Sequence, residues 1–565
     1  MPALLLALAL SGVAASPRGA IATGHPLASE AGAAILRGGG NAADAAIAAA
    51  FVLSVVDNQS SGIGGGGFAL VWNAKERKVR VVDFREVAPA AATPGMFLRG
   101  GKPDPALSRE GGLAVAVPGA VKGYADVARR FGTRPLAALV EPAARIAERG
   151  WTAGPGASRA AREKLECLRA DGAAAREFLV RSKGGALAPP EPGARLVRRE
   201  LARTLRLLGR DPEAFYRGPL ARRIAAAVRA RGGILAESDL ASYRVRQWEP
   251  LLGTYRGHRI ASMPPPSAGG AILIGTLQAL ESADPQAGGY RPDAFLHRFV
   301  EAERRLFARR ATLLGDPAFV PGARAAAEEM ASAAFARAIA QETSDRATPS
   351  SSVAPPPVPS APATPARAPG GNTTHVSVID AQGNAVSLTT TVNGRFGACL
   401  VVPGTGILLD DEMDDFDAAP GVPNQFGLVG TGANAVAPGK VPLSSMTPAL
   451  LFDPQGRILA AIGSSGGATI PSTVAQIVIG LVDYRMQLAD ALAAPRIHHQ
   501  WMPDRISAEP WALDANTAAA IRARGHEIDF LDHPFGNPQA AMIDWSTGWR
   551  IAGSDPRWSG VGAAP

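Results

Sequence analysis

Behind Thr373-Thr374-His375, apolar residues return at alternate positions through Val376 and Val378, and a second apolar run follows Asn384. This period-two pattern predicts two strands joined by the turn Asp380-Ala381-Gln382-Gly383-Asn384. Early in the chain the pattern is helical. Residues 26–56 are rich in Ala, Ile and Leu, break at Gly38-Gly39-Gly40, and offer Asn41 or Asp44 as a cap for the second piece. Residues 68–72 and 79–84 alternate again and predict strands. The stretch 117–342 reads as mostly helical, punctuated at 189–193 and at Pro264-Pro265-Pro266-Ser267-Ala268-Gly269-Gly270. Strands dominate from 373 to about 462, and a helix is predicted over 473–484. The pattern gives a mixed α and β protein. The strands after Thr373 need the helices and strands encoded earlier, so we expect one intertwined domain.

Residues 347–370 carry many Pro, Ser and Ala and almost no charge, the composition of a flexible, extended linker. It ends just before Thr373, which heads its strand. A Thr there has a plain reading in β-propensity. It also has a chemical one. If the Asn372–Thr373 bond breaks, Thr373 becomes an N-terminus that carries a nucleophile and its own base. A free α-amine titrates at about 7.7–8.0 and can take the hydroxyl proton near neutral pH, whereas a peptide nitrogen cannot.

The bulk numbers narrow the field. At 565 residues, 47% hydrophobic and 19% charged, the chain is globular. A net charge of +8 and a pI of 9.8 invite a nucleic-acid reading. The arginines, however, are scattered among Ala, Leu and Glu along helical stretches, and aromatic content is 6%, so no stacking platform accompanies them. Nucleic acid is not expected as a partner. Cys167 and Cys399 are too few for a disulfide framework and have no metal-ligand spacing, although a single bridge stays open. His498-His499 are neighbours whose side chains diverge, and we read them as structural rather than as metal ligands. Residues 3–10 are apolar and lead into Ser11-Gly12-Val13-Ala14-Ala15-Ser16, which predicts a secretory leader 1–15 cleaved after Ala15, although no basic residue precedes it. A periplasmic or secreted protein is expected. The next longest apolar run, 45–56, is too short to span a bilayer, so no stable membrane insertion is expected.

Two glycine motifs need their context. Gly62-Ile63-Gly64-Gly65-Gly66-Gly67 matches the dinucleotide fingerprint, but a helix precedes it and a strand follows, the reverse of what that site requires. Close backbone packing is the better explanation. Gly463-Ser464-Ser465-Gly466-Gly467 matches a nucleophile elbow and sits between a strand at 458–462 and a helix with Pro471 in its first turn. Asp504, Asp532 and His533 downstream complete a serine, acid, histidine order, so a serine hydrolase using Ser465 stands as an alternative.

Thr373-Thr374-His375, Ser61-Gly62-Ile63-Gly64-Gly65-Gly66-Gly67-Phe68, Pro442-Leu443-Ser444-Ser445-Met446, Gly463-Ser464-Ser465-Gly466-Gly467, Asp414-Asp415-Phe416 and Pro495-Arg496-Ile497-His498-His499-Gln500-Trp501 closely resemble the γ-glutamyltranspeptidase family, from about Ile21 to the end. The resemblance implies an α+β fold, the four-layer αββα sandwich of N-terminal-nucleophile hydrolases. It would be formed jointly by a large subunit, 16–372, and a small catalytic subunit, 373–565, after self-cleavage between Asn372 and Thr373. It implies hydrolysis of glutathione and related γ-glutamyl compounds, or transfer of their γ-glutamyl group to water, amino acids or dipeptides, with no cofactor and no metal. Thr373 matches the nucleophile, Thr391 the residue that orients it, and Gly466 and Gly467 the oxyanion donors. Arg85 matches the group gripping the substrate α-carboxylate, a charge-assisted contact of about 1.5–3 kcal/mol. Ser444 and Ser445 match further donors to that carboxylate, and Asn393, Glu412 and Asp415 match acceptors for the α-ammonium. Phe426, in the matching lid 420–427, stands where some members carry a tyrosine bonded to the residue matching Asn393. That departure implies a lid held by packing only, a looser gate and more turnover of bulky substrates.

The plainer readings are that Arg85 forms a surface ion pair with Glu86 or Asp83, and that Glu412 and Asp415 belong to a solvated acidic loop with Asp410, Asp411 and Asp414. A cephalosporin (glutaryl) acylase is the near rival. Asp415 argues against it, since a glutaryl group has no ammonium to meet that carboxylate. A γ-glutamyl-binding protein that is never cleaved is a second rival, disfavoured by the intact Thr373-Thr374 and glycine pairs.

Overall fold

The alternating run behind Thr373 forms a central strand of one of two stacked sheets. The computed structural model describes residues 12–182, 184–287, 289–354 and 372–565. Numbering only the strands of the two large sheets, these are β1 (Val13–Ser16), β2 (Gly19–Thr23), β3 (Gly66–Asn73), β4 (Lys78–Asp83), β5 (Arg246–Trp248), β6 (Leu251–Tyr255) and β7 (His258–Ser262) before the linker. After it come β8 (Thr373–Asp380), β9 (Ala385–Thr391), β10 (Ala449–Phe452), β11 (Ile458–Gly463), β12 (Gln539–Asp544), β13 (Trp549–Ser554) and β14 (Val561–Ala563). The first sheet runs β5-β4-β3-β9-β8-β2-β14 and the second β1-β13-β12-β11-β10-β7-β6. All their neighbours are antiparallel. Each sheet mixes strands from both sides of Asn372–Thr373, as the intertwined-domain expectation requires.

Helices cover the two outer faces. On the first sheet lie α1 (Pro26–Arg37) and α2 (Ala42–Val56), broken where the glycines predicted. Every residue of α2 is buried, and Asn41 and Asp44 cap it reciprocally. The second sheet is covered by α3 (Gly269–Ala279), α4 (Asp293–Leu313) and α5 (Ile470–Val482), with Pro471 in the first turn of α5. Helix, sheet, sheet, helix is the expected four-layer order. Between the sheets, buried His375 holds Thr389 Oγ1 at 2.8 Å and Ser377 Oγ at 3.0 Å, while Ser387 Oγ donates to the Ile462 carbonyl at 2.9 Å. Burial pushes the His375 imidazole down to about 3, so this polar seam is neutral.

Four expectations change. The stretch read as helical contains β5, β6 and β7, strands of three to five residues, too short to show a clear alternation. Residues 393–447 are mainly loop, with only the two-residue strands Val401–Val402 and Ile407–Leu408. The linker expected to be free from 347 is anchored at its start: Ser350 is buried, its N–H donates to Asp504 at 2.7 Å and its hydroxyl to the Trp501 carbonyl at 2.7 Å. Residues 355–370 of that linker lie outside the described residues, as does the apolar run 3–10. The leader boundary expected after Ala15 falls inside β1, which pairs with β13. Cys167 and Cys399 form a disulfide. Among the described residues no helix is long and apolar enough to cross a membrane.

Candidate active site

Antiparallel register puts the two threonines of interest opposite each other: Thr373, the first residue of β8, pairs with Thr391, the last of β9. Their Oγ1 atoms are 3.1 Å apart. Thr391 Oγ1 also donates to the Asn372 carbonyl at 3.3 Å and accepts the Asn393 N–H at 2.8 Å. A hydroxyl has one proton, so the bond to Asn372 leaves Thr373 as the donor to Thr391. One hydroxyl thus orients the candidate nucleophile and touches the carbonyl of the candidate scissile bond. The glycine run makes this corner possible. A Cβ on Gly65 would lie 1.9 Å from the Thr391 carbonyl oxygen, and one on Gly64 would lie 2.1 Å from that of Leu408. Here the glycines serve close backbone approach, not a dinucleotide.

Arg85 follows β4 and is 1% exposed. Asp83 accepts its backbone N–H at 2.9 Å, Tyr243 and Arg246 donate to its carbonyl at 2.9 Å each, and its Nε donates to the Pro442 carbonyl at 3.3 Å. One guanidinium end pairs with Glu412 and the other with Asp415 at 2.5 Å. The plainer reading of a surface pair with Glu86 or Asp83 is therefore overturned, as is that of a solvated acidic loop: Glu412 and Asp415 are buried. Burial works against the Arg85 charge, and Glu412, Asp415 and Glu86 outweigh it, so the guanidinium is held above its ordinary range. Desolvation pushes Glu412, Glu86 and Asp410 well above the carboxylate range, against the pull of Arg85 on the first two. Asp411, buried beside Asp414, rises to about 8. The groups read as separate grips for a carboxylate and an ammonium form one ion cluster. Three of the five N–H donors of Arg85 are used, by the Pro442 carbonyl, Glu412 and Asp415, and two remain.

Arg85, Thr373, Thr391, Asn393, Glu412, Asp415, Phe426, Ser444, Ser445 and Gly467 line one narrow pocket, closed by the apolar Leu428, Met446 and Ile470. Every residue singled out for the site lines it except Asn372, which bonds Thr391, and Gly466, the chain neighbour of Gly467. Asn393 is held at a left-handed φ of 70°, which asparagine tolerates. Its amide donates to the Asp411 carbonyl at 3.0 Å, so its Oδ1 remains an acceptor. Ser445 Oγ is buried without a hydrogen-bond partner, as is Glu412 Oε2. The Ser444 loop is fastened by a motif that sequence reading treated only as punctuation: Ser444 N–H donates to the Pro266 carbonyl at 2.9 Å, and Ser267 Oγ donates to that of Met446 at 2.7 Å. Tyr243 and Arg246 were also missed, since nothing local marks them as partners of Arg85.

The Gly463–Gly467 turn joins β11 to α5 as an elbow would, but it does not assemble a triad. Ser465 Oγ is buried and has no hydrogen-bond partner. His533 pairs with exposed Asp532 at 2.5 Å, and Asp504 pairs with Arg304 and His499. The serine hydrolase alternative lacks its base. The segment 420–427, read from sequence as a lid, also departs from expectation. Phe426 makes no bond to Asn393, yet the lid is not held by packing only: Gln425 N–H donates to Asp414 at 2.8 Å, Asn424 Nδ2 to Asp415 at 3.3 Å, and Gln500 Nε2 to the Phe426 carbonyl at 3.3 Å.

Two seven-stranded sheets between helical layers, with Thr373 opening an inner strand, are the architecture of the N-terminal-nucleophile hydrolases. The model of the Gamma-glutamyltranspeptidase family matches residues 28–564, and the chain belongs to that family. It is 37% identical over 546 residues to the glutathione hydrolase proenzyme of Escherichia coli (strain K12), covering 96% of this chain and 90% of that protein. It is 38% identical over 527 residues to an acylase ACY 1 proenzyme of Pseudomonas sp. (strain V22), covering 91% of this chain and 88% of that one. Among solved structures it superposes on the cephalosporin acylase of Bacillus halodurans with a TM-score of 0.83 and 28% identity, covering 98% of this chain and 97% of that one.

Proposed function

We propose that this chain is a self-cleaving γ-glutamyltranspeptidase and glutathione hydrolase. The observation that carries the reading is the single pocket in which a threonine hydroxyl, an arginine, two carboxylates, an asparagine and two serines converge. A γ-glutamyl group has an α-carboxylate, an α-ammonium and a γ-carbonyl, and this lining has a complement for each. Thr373 Oγ1 attacks the Asn372 carbonyl, the acyl group moves from nitrogen to oxygen, and water hydrolyses that ester. The products are a large subunit ending at Asn372 and a small one beginning with the free amine of Thr373, held together as a heterodimer. In turnover that amine takes the Thr373 hydroxyl proton, Oγ1 attacks the γ-carbonyl, and the Gly466 and Gly467 N–H groups hold the oxyanion. Each such donor is worth about 10²–10³ in rate at comparable sites. The leaving amine departs with the proton, and water or an amino acid or dipeptide amine resolves the γ-glutamyl-threonine ester. Arg85, Ser444 and Ser445 hold the α-carboxylate, and Asn393, Glu412 and Asp415 the α-ammonium, beneath the Phe426 lid. No step calls for a cofactor.

A glutaryl acylase is the second reading, favoured by the acylase relatives. Glu412 and Asp415 count against it, because a glutaryl chain leaves both without an ammonium. Release of p-nitroaniline from γ-glutamyl-p-nitroanilide, with glutaryl-p-nitroanilide in parallel, separates the two. Release from the first only is expected; release from the second only would overturn the proposal.

A further inference from the structure

The Pro495–Trp501 motif contributes nothing to the chemistry above, yet its side chains reach the lid. Gln500 Nε2 donates to the Phe426 carbonyl and to that of Met502, each at 3.3 Å, so its Oε1 is the acceptor of the pair. That oxygen lies 2.9 Å from His498 Nε2. The contact fixes the tautomer: Nε2 carries the proton, and Nδ1 accepts from Ser472 Oγ at 2.7 Å. Ser472 lies in the first turn of α5, directly beyond the Gly466-Gly467 turn. Buried Glu303, on α4, accepts the His499 N–H at 3.0 Å and stands 3.9 Å from His498 Nδ1. Burial keeps His498 neutral, with its pKa pushed down to about 4. At the far end of this chain of contacts the Phe426 ring lies so close to Gly467 that a Cβ there would be 2.3 Å from it.

We infer that Gln500 is the latch of the lid: a positioning residue whose amide, locked by His498 and Ser472, holds the Phe426 carbonyl and thereby sets how large a leaving group the pocket accepts. The inference rests on the γ-glutamyl reading for its kinetic test but not for its structural one. The acidic cluster holds the segment at Asn424 and Gln425, and Gln500 holds it one residue on, at the Phe426 carbonyl. Losing the amide frees the Phe426 carbonyl and leaves Asn424 and Gln425 fastened.

The test uses the whole enzyme with Gln500→Met, which keeps the length and loses the donor. Hydrogen–deuterium exchange of the 420–430 segment should quicken, with the rest of the chain unchanged. KM for a small donor, γ-glutamyl-methylamide, should rise about 3- to 10-fold, the scale of one neutral hydrogen bond. KM for γ-glutamyl-p-nitroanilide should rise less, so selectivity shifts toward the bulky donor. A second variant, Gln500→Glu, donates to the Phe426 carbonyl only when protonated. Its donor selectivity should match the Met variant at pH 8 and move toward wild type only as the pH falls toward the ordinary glutamate pKa of about 4.3, which a merely structural residue would not do. Unchanged exchange in the lid together with unchanged donor selectivity overturns the latch. If wild type releases no p-nitroaniline, the γ-glutamyl reading fails while the exchange experiment still decides the latch.

Discussion

Thr391→Val is the perturbation that isolates the proposed chemistry most cleanly. Valine keeps the shape and β-branching of a buried residue at the end of β9 and removes only the hydroxyl. Three contacts go with it: Thr373 Oγ1 at 3.1 Å, the Asn372 carbonyl at 3.3 Å and the Asn393 N–H at 2.8 Å. The first two act on the reacting atoms. Both act in maturation, where at about 0.5–1.5 kcal/mol each they sum to about 1–3 kcal/mol, or a loss of about 5- to 150-fold in rate; only the first acts in turnover, a loss of about 2- to 13-fold. The third leaves a buried N–H unpaired and costs about 1–3 kcal/mol of stability instead. Rate and stability therefore separate. Maturation is followed by denaturing electrophoresis, turnover by p-nitroaniline release under saturating donor, and stability by thermal melting. Thr391→Ser, which retains the hydroxyl, should mature and turn over faster than Thr391→Val, close to the wild-type rates. If Thr391→Val matures and turns over at the wild-type rate, the hydroxyl does not orient Thr373 and the reasoning fails.

Thr373→Ala should remain uncut and inactive while Ser465→Ala keeps turnover; the opposite result would restore the serine hydrolase. Arg85→Lys loses the fork that spans Glu412 and Asp415, and KM for γ-glutamyl donors should rise about 10- to 100-fold with a smaller change in kcat. Buried Glu303 has its carboxyl pushed up to about 8 by desolvation. The folded state therefore holds this proton through a window, from about 4.3 to about 8, in which the unfolded chain has lost it. Stability from this group is full below that window and declines as pH rises through it, by at most about 1.4 kcal/mol per unit. Melting temperatures of Glu303→Gln should fall less steeply than wild type between pH 5 and pH 8, and parallel curves would count against it.

The sequence made the site legible where chemistry and backbone constraint coincide. The Gly62–Gly67 run is read correctly because only glycine fits against the carbonyls of Leu408 and Thr391, and Thr373 stands out because a hydroxyl heads a clean alternation. Asn41 and Asp44 announce the start of α2 by capping alone. What was not legible depends on tertiary partners. β5, β6 and β7, at three to five residues each, are too short to advertise themselves, although β6 and β7 complete the second sheet. Arg85, Glu412 and Asp415 were assigned to opposite ends of a ligand, and nothing local to any of them reveals that they touch. Phe426 was judged by the hydroxyl it lacks, while its carbonyl, invisible to any side-chain comparison, makes the contact with Gln500.

The disulfide between Cys167 and Cys399 has a topological consequence. The chain between those cysteines contains the Asn372–Thr373 bond, so the proposed cut opens a closed loop rather than dividing the molecule. The mature protein would have two new ends yet remain one covalent unit, running as a single species on a non-reducing gel and separating only with reductant. A two-chain enzyme without such a link becomes less stable on dilution, because its unfolding releases two molecules. Here unfolding stays unimolecular: the halves keep a fixed effective concentration for each other, and the melting temperature of the oxidised protein is independent of how dilute it becomes.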